Sequence, residues 1–457
     1  MVAQTPQEWL PILCKRLDER GPAVAKRRRY ALGDADLPEM GRNTRASWEA
    51  FQRKARTNYA GLAAGSLCNR IRPLAVTVGD GTDVAATGAA RRVWRDNRMP
   101  VQIADAVWDA VTVGVGYLVA GSDEGGAVVS RELPEMFYAA QDPVRPWRAR
   151  ATLKVWRDVD AERDYAVVMV AGAAQVFSRS MEWQGALLRA ASGGQWEIAS
   201  PVIPFEGSPP VVILEGRDPR GFIEPHFDVV DRMNHNKLNR LVTTAMQAYR
   251  QRALKTADGS PGLPEKDEAG NQIDYEKVFS PAPGALWDLP EGVDIWESQQ
   301  TDIRPLLEGE KADARDFAAV TQTPISVFIP EGQNQSAEGA FTAKEGQIFL
   351  ADDYIARVQA AVDSIMVRAL LIEGVDLGGQ TVEVHFEKPA HVSLSERYAA
   401  AAQAKAAGES WKSIARNVLG YSPEQIAQDA ADRAEEQLAA ITLVGAVQPA
   451  VNGASVS

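Results

Sequence analysis

TQTPISVFIPEGQNQSAEGAFTAKEGQIF, residues 321–349, decides how the rest of this 457-residue chain is read. An apolar run, Ile325 to Ile329, stops at Pro330, which has no N–H to donate and a fixed φ. A short polar patch follows, Gly332-Gln333-Asn334-Gln335-Ser336, and a helical pattern then begins. Phe341, Ile348, Ile355, Val362 and Ala369 recur every seven residues, with Phe349, Val358, Ile365 and Met366 filling the same face. The pattern predicts a helix over 337–372, roughly 52 Å long at 1.5 Å per residue. Gly339 and Gly346 lie near its start, where each weakens a helix by about 1 kcal/mol relative to alanine. They mark a hinge.

Upstream, residues 225–257 read as another long helix, roughly 48 Å, with the stripe Leu238, Leu241, Val242, Ala245, Met246 and Tyr249. It carries Arg232, Lys237, Arg240, Arg250, Arg252 and Lys255 and, from Arg232 onward, neither Asp nor Glu, in a chain of net charge -12. A Gly/Pro-rich, acidic stretch with strand-like pieces (Ala285 to Leu289, Val293 to Trp296) breaks it off, and a returning helix, 302–321, leads into the opening stretch. Downstream come a strand over 379–389 and three helices. Gly408 and Gly420 end the first two, and Ser422-Pro423-Glu424 caps the third.

The N-terminal pattern (Trp9, Ile12, Leu13, Leu17) reads as a helix within 5–30 that ends at Gly21-Pro22, followed by the basic run Lys26 to Arg29. A helix over 43–70, capped by Asn43 or Thr44, leads to the alternating strand RPLAVTVGDG (72–81). Helices over 84–96 and 100–111 precede the apolar strand TVGVGYLVAG (112–121). Seven short β patterns between 127 and 215 predict an antiparallel, mixed sheet with Trp147, Trp156, Trp183 and Trp196 on its core or faces.

Hydrophobic content of 45% and charged content of 24% are those of an ordinary globular chain. No stretch has the length and apolarity of a membrane helix, and the start lacks the layout of a signal peptide. Two cysteines, Cys14 and Cys68, are too few for a disulfide framework or a cysteine zinc site, which points to a reducing place of synthesis. The net charge argues against a protein that grips nucleic acid over its whole surface. There is no GxxxxGK[ST] phosphate loop, GxSxG, HExxH or dinucleotide fingerprint; EGAFTAKEG has a lysine near glycines but the wrong spacing. His226 and His235, nine apart on one helix, cannot share a ligand; with His385 and His391 they read as surface or locally bonded imidazoles. Asp352-Asp353, Glu435-Glu436 and Lys26 to Arg29 read as solvated faces, the last with a partner or nucleic-acid contact as its alternative. Asn334-Gln335-Ser336 matches a glycosylation sequon but lacks a secretory context. No catalytic residue, cofactor or metal is expected.

Two long helices that run out to an acidic excursion and back, followed by a third, must bury their stripes against something. Neighbouring copies in a ring would do this. Belts of basic side chains in an otherwise acidic protein would then give weak, salt-dependent, sequence-independent contact with a phosphate backbone; salt bridging between subunits is the other use of those residues. The stripe over 341–369 is likewise read as packing between subunits.

At this point the sequence resembles the portal proteins of tailed bacteriophages, in the branch typical of siphophages. The threonine-rich turn, proline, small polar loop and S-x-E/G-A helix start of that family are matched by residues 321–349. VEVHFEKPAHVSLSERYAAAAQAKAAG (382–408) is similar to its strand ending in proline and alanine-rich helix, and WKSIARNVLGYSPEQI (411–426) to its LG-x-S/T-P-E-E-I helix pair. The first 220 residues agree only in type. The resemblance implies an α+β portal fold: a wing over 1–224, stem helix 225–257, clip 258–301, returning stem helix 302–321 and tunnel loop 322–336. After these come the long helix 337–372, a wing strand within 373–392, a helical crown 393–440 and a flexible tail 441–457.

It implies a homo-oligomeric ring, usually a dodecamer, at one capsid vertex of a virion made in a bacterial cytoplasm, with no membrane. Double-stranded DNA, bound non-specifically, would be packaged and later ejected through the channel. Gln333, Asn334, Gln335 and Ser336 would line it as the tunnel loop, here without the charged residue that would grip a phosphate. The terminase large subunit, the major capsid and scaffolding proteins and the head-completion adaptor and tail proteins would be its partners. Another capsid-associated scaffold, or an enzyme with an unrecognised site, is the competing class, and a subunit count separates them.

Overall fold

The computed structural model describes residues 4–38, 46–79, 83–181, 190–248, 252–256, 265–266, 270, 272–274, 293–297, 301–330, 337–390, 394–421 and 423–446. The fold is mixed α and β, and it divides into two compact units: 1–36 with 58–230 and 314–457, and 37–57 with 231–313.

The larger unit begins with α1 (Pro6–Ala31), whose start is fixed by a capping box between Thr5 and Glu8. Trp9, Leu10, Leu13, Cys14 and Leu17 recur at helical spacing and are buried against Leu153, Val155, Val168 and Phe177. Each such side chain contributes roughly 1.5–3 kcal/mol. The helix does not end at Gly21-Pro22 as expected but runs through both. The lost backbone bond at Pro22 is offset further on, where Val24 and Tyr30 are buried and the basic run is tied down. That run is not a solvated face either. Arg27 pairs with Glu224, Arg28 with Asp109 (2.6 Å) and Glu135 (2.7 Å), and Lys26 and Arg29 with Asp36 (3.2 and 2.8 Å).

The sheet that receives α1 runs β4 (Phe137–Gln141), β5 (Ala149–Asp158), β6 (Arg163–Val170), β7 (Ala173–Ser180) and β8 (Glu197–Ile198), all neighbours antiparallel, with β9 (Ile203–Pro204) also on β7. A second antiparallel sheet, ordered β10 (Val211–Glu215), β2 (Val115–Asp123), β3 (Gly126–Glu132), carries α5 (Met99–Thr112). Two sheets therefore stand where one was expected. Trp156 stacks on Tyr165 (5.4 Å) and Trp196 packs on the core, but Trp147 is exposed; Trp183 lies outside the described residues. A third pair joins β1 (Pro73–Val78) to β13 (Val382–Phe386), beside α4 (Val84–Asp96). In place of one helix over 43–70 there are α2 (Ala46–Ala55) and α3 (Tyr59–Cys68), the latter capped by Asn58; the proposed caps Asn43 and Thr44 lie outside the described residues.

The helix expected over 337–372 is α8 (Ala337–Ile372). Its stripe corrects the sequence reading. Val358, Val362, Ile365, Met366, Ala369 and Leu370 are fully buried within this chain, where α8 packs on β2, β3, β10 and β13. They are core residues, not a surface left for a neighbouring subunit. The C-terminal helices are α9 (Leu394–Ala406), α10 (Trp411–Ile414), whose last turn widens into a π-turn over 415–419, and α11 (Pro423–Ala446). Gly408 and Gly420 take positive φ, 91° and 73°, and the Glu409 N–H donates to Ala404 O (3.1 Å), closing the first of these helices in a Schellman turn. Among the described residues no helix is long and apolar enough to cross a membrane.

Candidate functional site

The smaller unit holds most of the basic residues singled out in the sequence. Helix α6 (Phe227–Ala248) is shorter than the 225–257 expected. Arg252 and Lys255 lie instead on strand β11 (Arg252–Thr256), antiparallel to β12 (Val293–Glu297). In that backbone register Arg252 pairs with Glu297 and Lys255 with Asp294. The chain then returns on α7 (Arg304–Val320). The result is helix, strand pair, helix.

Arg232, Asn236 and Arg240, at i, i+4 and i+8, share one face of α6. That face meets α7. Arg232 Nε donates to Asp313 Oδ1 (2.9 Å), Asn236 Nδ2 to Asp313 Oδ2 (2.6 Å) and Arg240 Nε to Glu310 Oε1 (2.5 Å). Gln247 Nε2 reaches Thr301 O (2.8 Å), so the contacts descend α7 as they climb α6 and the helices are antiparallel. Lys237 Nζ donates to Thr57 Oγ1 (2.8 Å), while the Thr57 N–H donates to Asn234 Oδ1 (3.1 Å). Glu310 and Asp313 were not singled out from sequence. Their i, i+3 spacing on the returning helix, opposite an i, i+4, i+8 basic row, was the available signal. Arg250 lies outside the described residues.

Gln333, Asn334, Gln335 and Ser336 also lie outside them, but the segment that leads to them is well anchored. Thr321 and Thr323 are buried; Thr321 Oγ1 donates to Phe317 O (2.6 Å) and lies 3.1 Å from Thr323 Oγ1. Between them Gln322 takes φ 51°, a left-handed conformation unusual for a side chain of its length. A single 3₁₀ turn, Ile325–Val327, then delivers Phe328 edge-on to Phe317 (5.5 Å) and Tyr59 (5.6 Å). His226 also meets Phe317 edge-on (6.4 Å), and burial pushes its imidazole pKa below the ordinary value.

On the far side of the polar segment, α8 is continuous through Gly339 and Gly346. A methyl group on Gly346 would meet Gln322 Cβ at 3.6 Å, an ordinary contact. Space does not require glycine there. Gly346→Ala is therefore expected to stabilise the fold by about 1 kcal/mol, read as a shift in the urea midpoint. A loss of stability would show that the helix bends at this residue.

Among the described residues no group of three or more His, Cys, Asp or Glu could hold a metal ion. A cavity of about 1500 Å³ lies in the larger unit, lined by strands of both sheets and the end of α8. It contains Glu132, which is paired with Lys154 (2.8 Å) and accepts from Ser130 Oγ (2.9 Å).

Neither a family model nor a curated protein matches the sequence. Comparison with solved structures finds likenesses of low identity. The chain is similar to one in the virion of a native gene transfer agent particle (15% identity, TM-score 0.45, covering 88% of this chain and 99% of that one). It is also similar to one in the neck of the native particle computed with C12 symmetry (15% identity, TM-score 0.46, with the same coverage). A third likeness is to an HK97 family phage portal protein from Corynebacterium diphtheriae (13% identity, TM-score 0.35, 75% of this chain and 95% of that one).

Proposed function

We propose that this chain is a portal subunit: a component of a ring at one vertex of a phage-type capsid, through which double-stranded DNA is packaged and later released. One observation carries the reading, the hairpin in which α6 leads into the β11–β12 pair and α7 returns antiparallel along it, tied by Arg232, Asn236 and Arg240. Such a hairpin has the form of a stem with a clip at its end. The sequence stretches that resemble the portal family support it, because they fall in order on the Thr321 to Phe328 anchor, α8, β13 and the α9 to α11 cluster. In this reading the ring is a dodecamer and the motor is a separate terminase. Capsid and scaffolding proteins surround the ring, and adaptor and tail proteins attach to it. The segment from Gln333 to Ser336 narrows the channel around the duplex without an ionic grip, while Gly339 and Gly346 give the start of α8 its freedom to move.

Mass measurement with negative-stain imaging tests the ring: about twelve subunits around an axial hole is the expected result, and a monomer at all concentrations would refute it. Replacing Gln333, Asn334, Gln335 and Ser336 with alanine is expected to leave assembly intact and to lower the DNA content of filled particles. Particles filled as well as those of the parent would remove the loop from the mechanism.

A further inference from the structure

Strand β5 carries opposite charge at its two ends. The turn before it, 142–148, is basic and apolar. Val144 is 81% exposed and Trp147 66%, and Arg145 and Arg148 flank the tryptophan. Arg150, at the start of the strand, stands 5.3 Å from the Trp9 ring. The turn's one carboxylate, Asp142, is turned inward: its Oδ1 accepts from the N–H groups of Val144 (2.8 Å) and Arg145 (2.9 Å). Backbone hydrogen bonds from Arg145 and Val144 hold it below the ordinary carboxylate range. The turn after the strand, 159–162, is acidic and apolar. Val159 is 60% exposed, Asp160 and Glu162 are exposed beside it, and the Ala161 N–H closes the turn on Asp158 Oδ1 (2.9 Å). Ten residues of strand set the two turns roughly 33 Å apart.

The basic turn also borders the cavity of about 1500 Å³, to which Arg148, Arg368, Val167, Met169 and Leu371 contribute. The Arg368 guanidinium donates to Ser208 O (3.3 Å), Pro209 O (3.2 Å) and Ser208 Oγ (3.1 Å), all of them uncharged. Burial, and then the positive charge of Arg148, push its pKa down. Two guanidiniums lining one cavity beside apolar wall suit an incoming carboxylate with an apolar neighbour. Trp and Arg are also the residues that most often anchor protein interfaces.

We propose that the acidic β5–β6 turn of a second copy of this chain docks on the basic β4–β5 turn, its carboxylates against Arg145, Arg148 and Arg368 and its valine against Trp147 and the cavity wall. This rests on the oligomeric ring proposed above and names the contact that builds it. A twofold axis through either turn would set like charge on like charge there. A head-to-tail pairing matches them, and head-to-tail contacts that close generate rings.

The test uses the full chain. Arg145→Glu with Arg148→Glu, and separately Asp160→Lys with Glu162→Lys, are each expected to raise the concentration for half-assembly on the order of tenfold or more. Combining all four changes is expected to recover most of that loss but not all of it, since the pairs with residues 145 and 148 are re-formed with the charges exchanged while Arg368 stays positive. Arg148→Cys with Asp160→Cys is expected to give a ladder of disulfide-linked subunits under mild oxidation. Burial pushes Cys14 up to about 12 and raises Cys68 as well, and the parent chain under the same oxidation is the control for both. Rings that form from every variant alike, without a ladder, would overturn this contact and leave the ring standing. A parent chain that is monomeric throughout would overturn both. If Arg145→Glu with Arg148→Glu loses retention on DNA-cellulose while assembly is unchanged, the basic turn is a nucleic-acid contact and the docking falls.

Discussion

Asp109→Ala is expected to destabilise the larger unit by about 3–5 kcal/mol. The Asp109 side chain is 0% exposed and holds three charge-assisted bonds: Arg28 Nη2 at 2.6 Å, Arg131 Nε at 2.6 Å and Arg131 Nη2 at 2.8 Å. Burial pushes its carboxyl pKa up while the two guanidiniums pull against it. Remove the carboxylate and Arg131, largely buried, loses this ion pair, while Arg28 keeps Glu135 at 2.7 Å. The charge left on Arg131, rather than the lost attraction, accounts for most of the cost. Asp109→Leu combined with Arg28→Met and Arg131→Met is therefore expected to recover part of the loss, because it removes both cations and leaves Glu135, 29% exposed, in reach of water. Guanidinium titration of the parent, the single variant and the triple variant decides the matter. A single variant within about 1 kcal/mol of the parent would mean that water reaches the arginines.

Phe317→Ala is the second change expected to be severe, again costing about 3–5 kcal/mol. Its ring is 0% exposed and joins α7 to Phe328 and His226, and Tyr59 meets Phe328 from α3. Its consequence is local as well as global. Phe328 is the last buried aromatic before the polar segment, and without Phe317 it loses one of its two ring partners. Limited proteolysis is expected to cut after residue 328 several-fold faster than in the parent under conditions where both are folded. If stability falls while that rate is unchanged, Phe317 is an ordinary core residue with no hold on the segment.

Periodicity made α8 legible to its ends, because one 36-residue pattern with a buried stripe leaves few alternatives. What the stripe packs against was not legible. A helix buried by its own sheets and one buried by a neighbour carry the same pattern, and only the fold shows β2, β3, β10 and β13 in place. Local rules failed where tertiary contacts outweighed them. Pro22 should end α1, but Arg27, Arg28 and Tyr30 beyond it are fastened to distant residues. Arg252 to Thr256 continues a helical-looking run, yet it is a strand because β12 supplies a partner for it. In the candidate site the basic row was visible and its purpose was not, since Glu310 and Asp313 stand some 70 to 80 residues away.

Pairing Arg232 and Arg240 with carboxylates of the same chain has a thermodynamic consequence for anything that slides past them. Polyanion binding draws much of its free energy from the counterions it sets free, and the gain scales with the number of unpaired cations presented. A lumen lined by α6 and α7 would present cations whose counterions are already built into the fold. A duplex displacing Glu310 or Asp313 would break one ion pair to make another, with little ion release and little dependence on salt. In the proposed ring, motion along such a wall would proceed over a nearly level free-energy surface, and a motor working against it would spend its stroke on compressing the cargo rather than on freeing it from the walls.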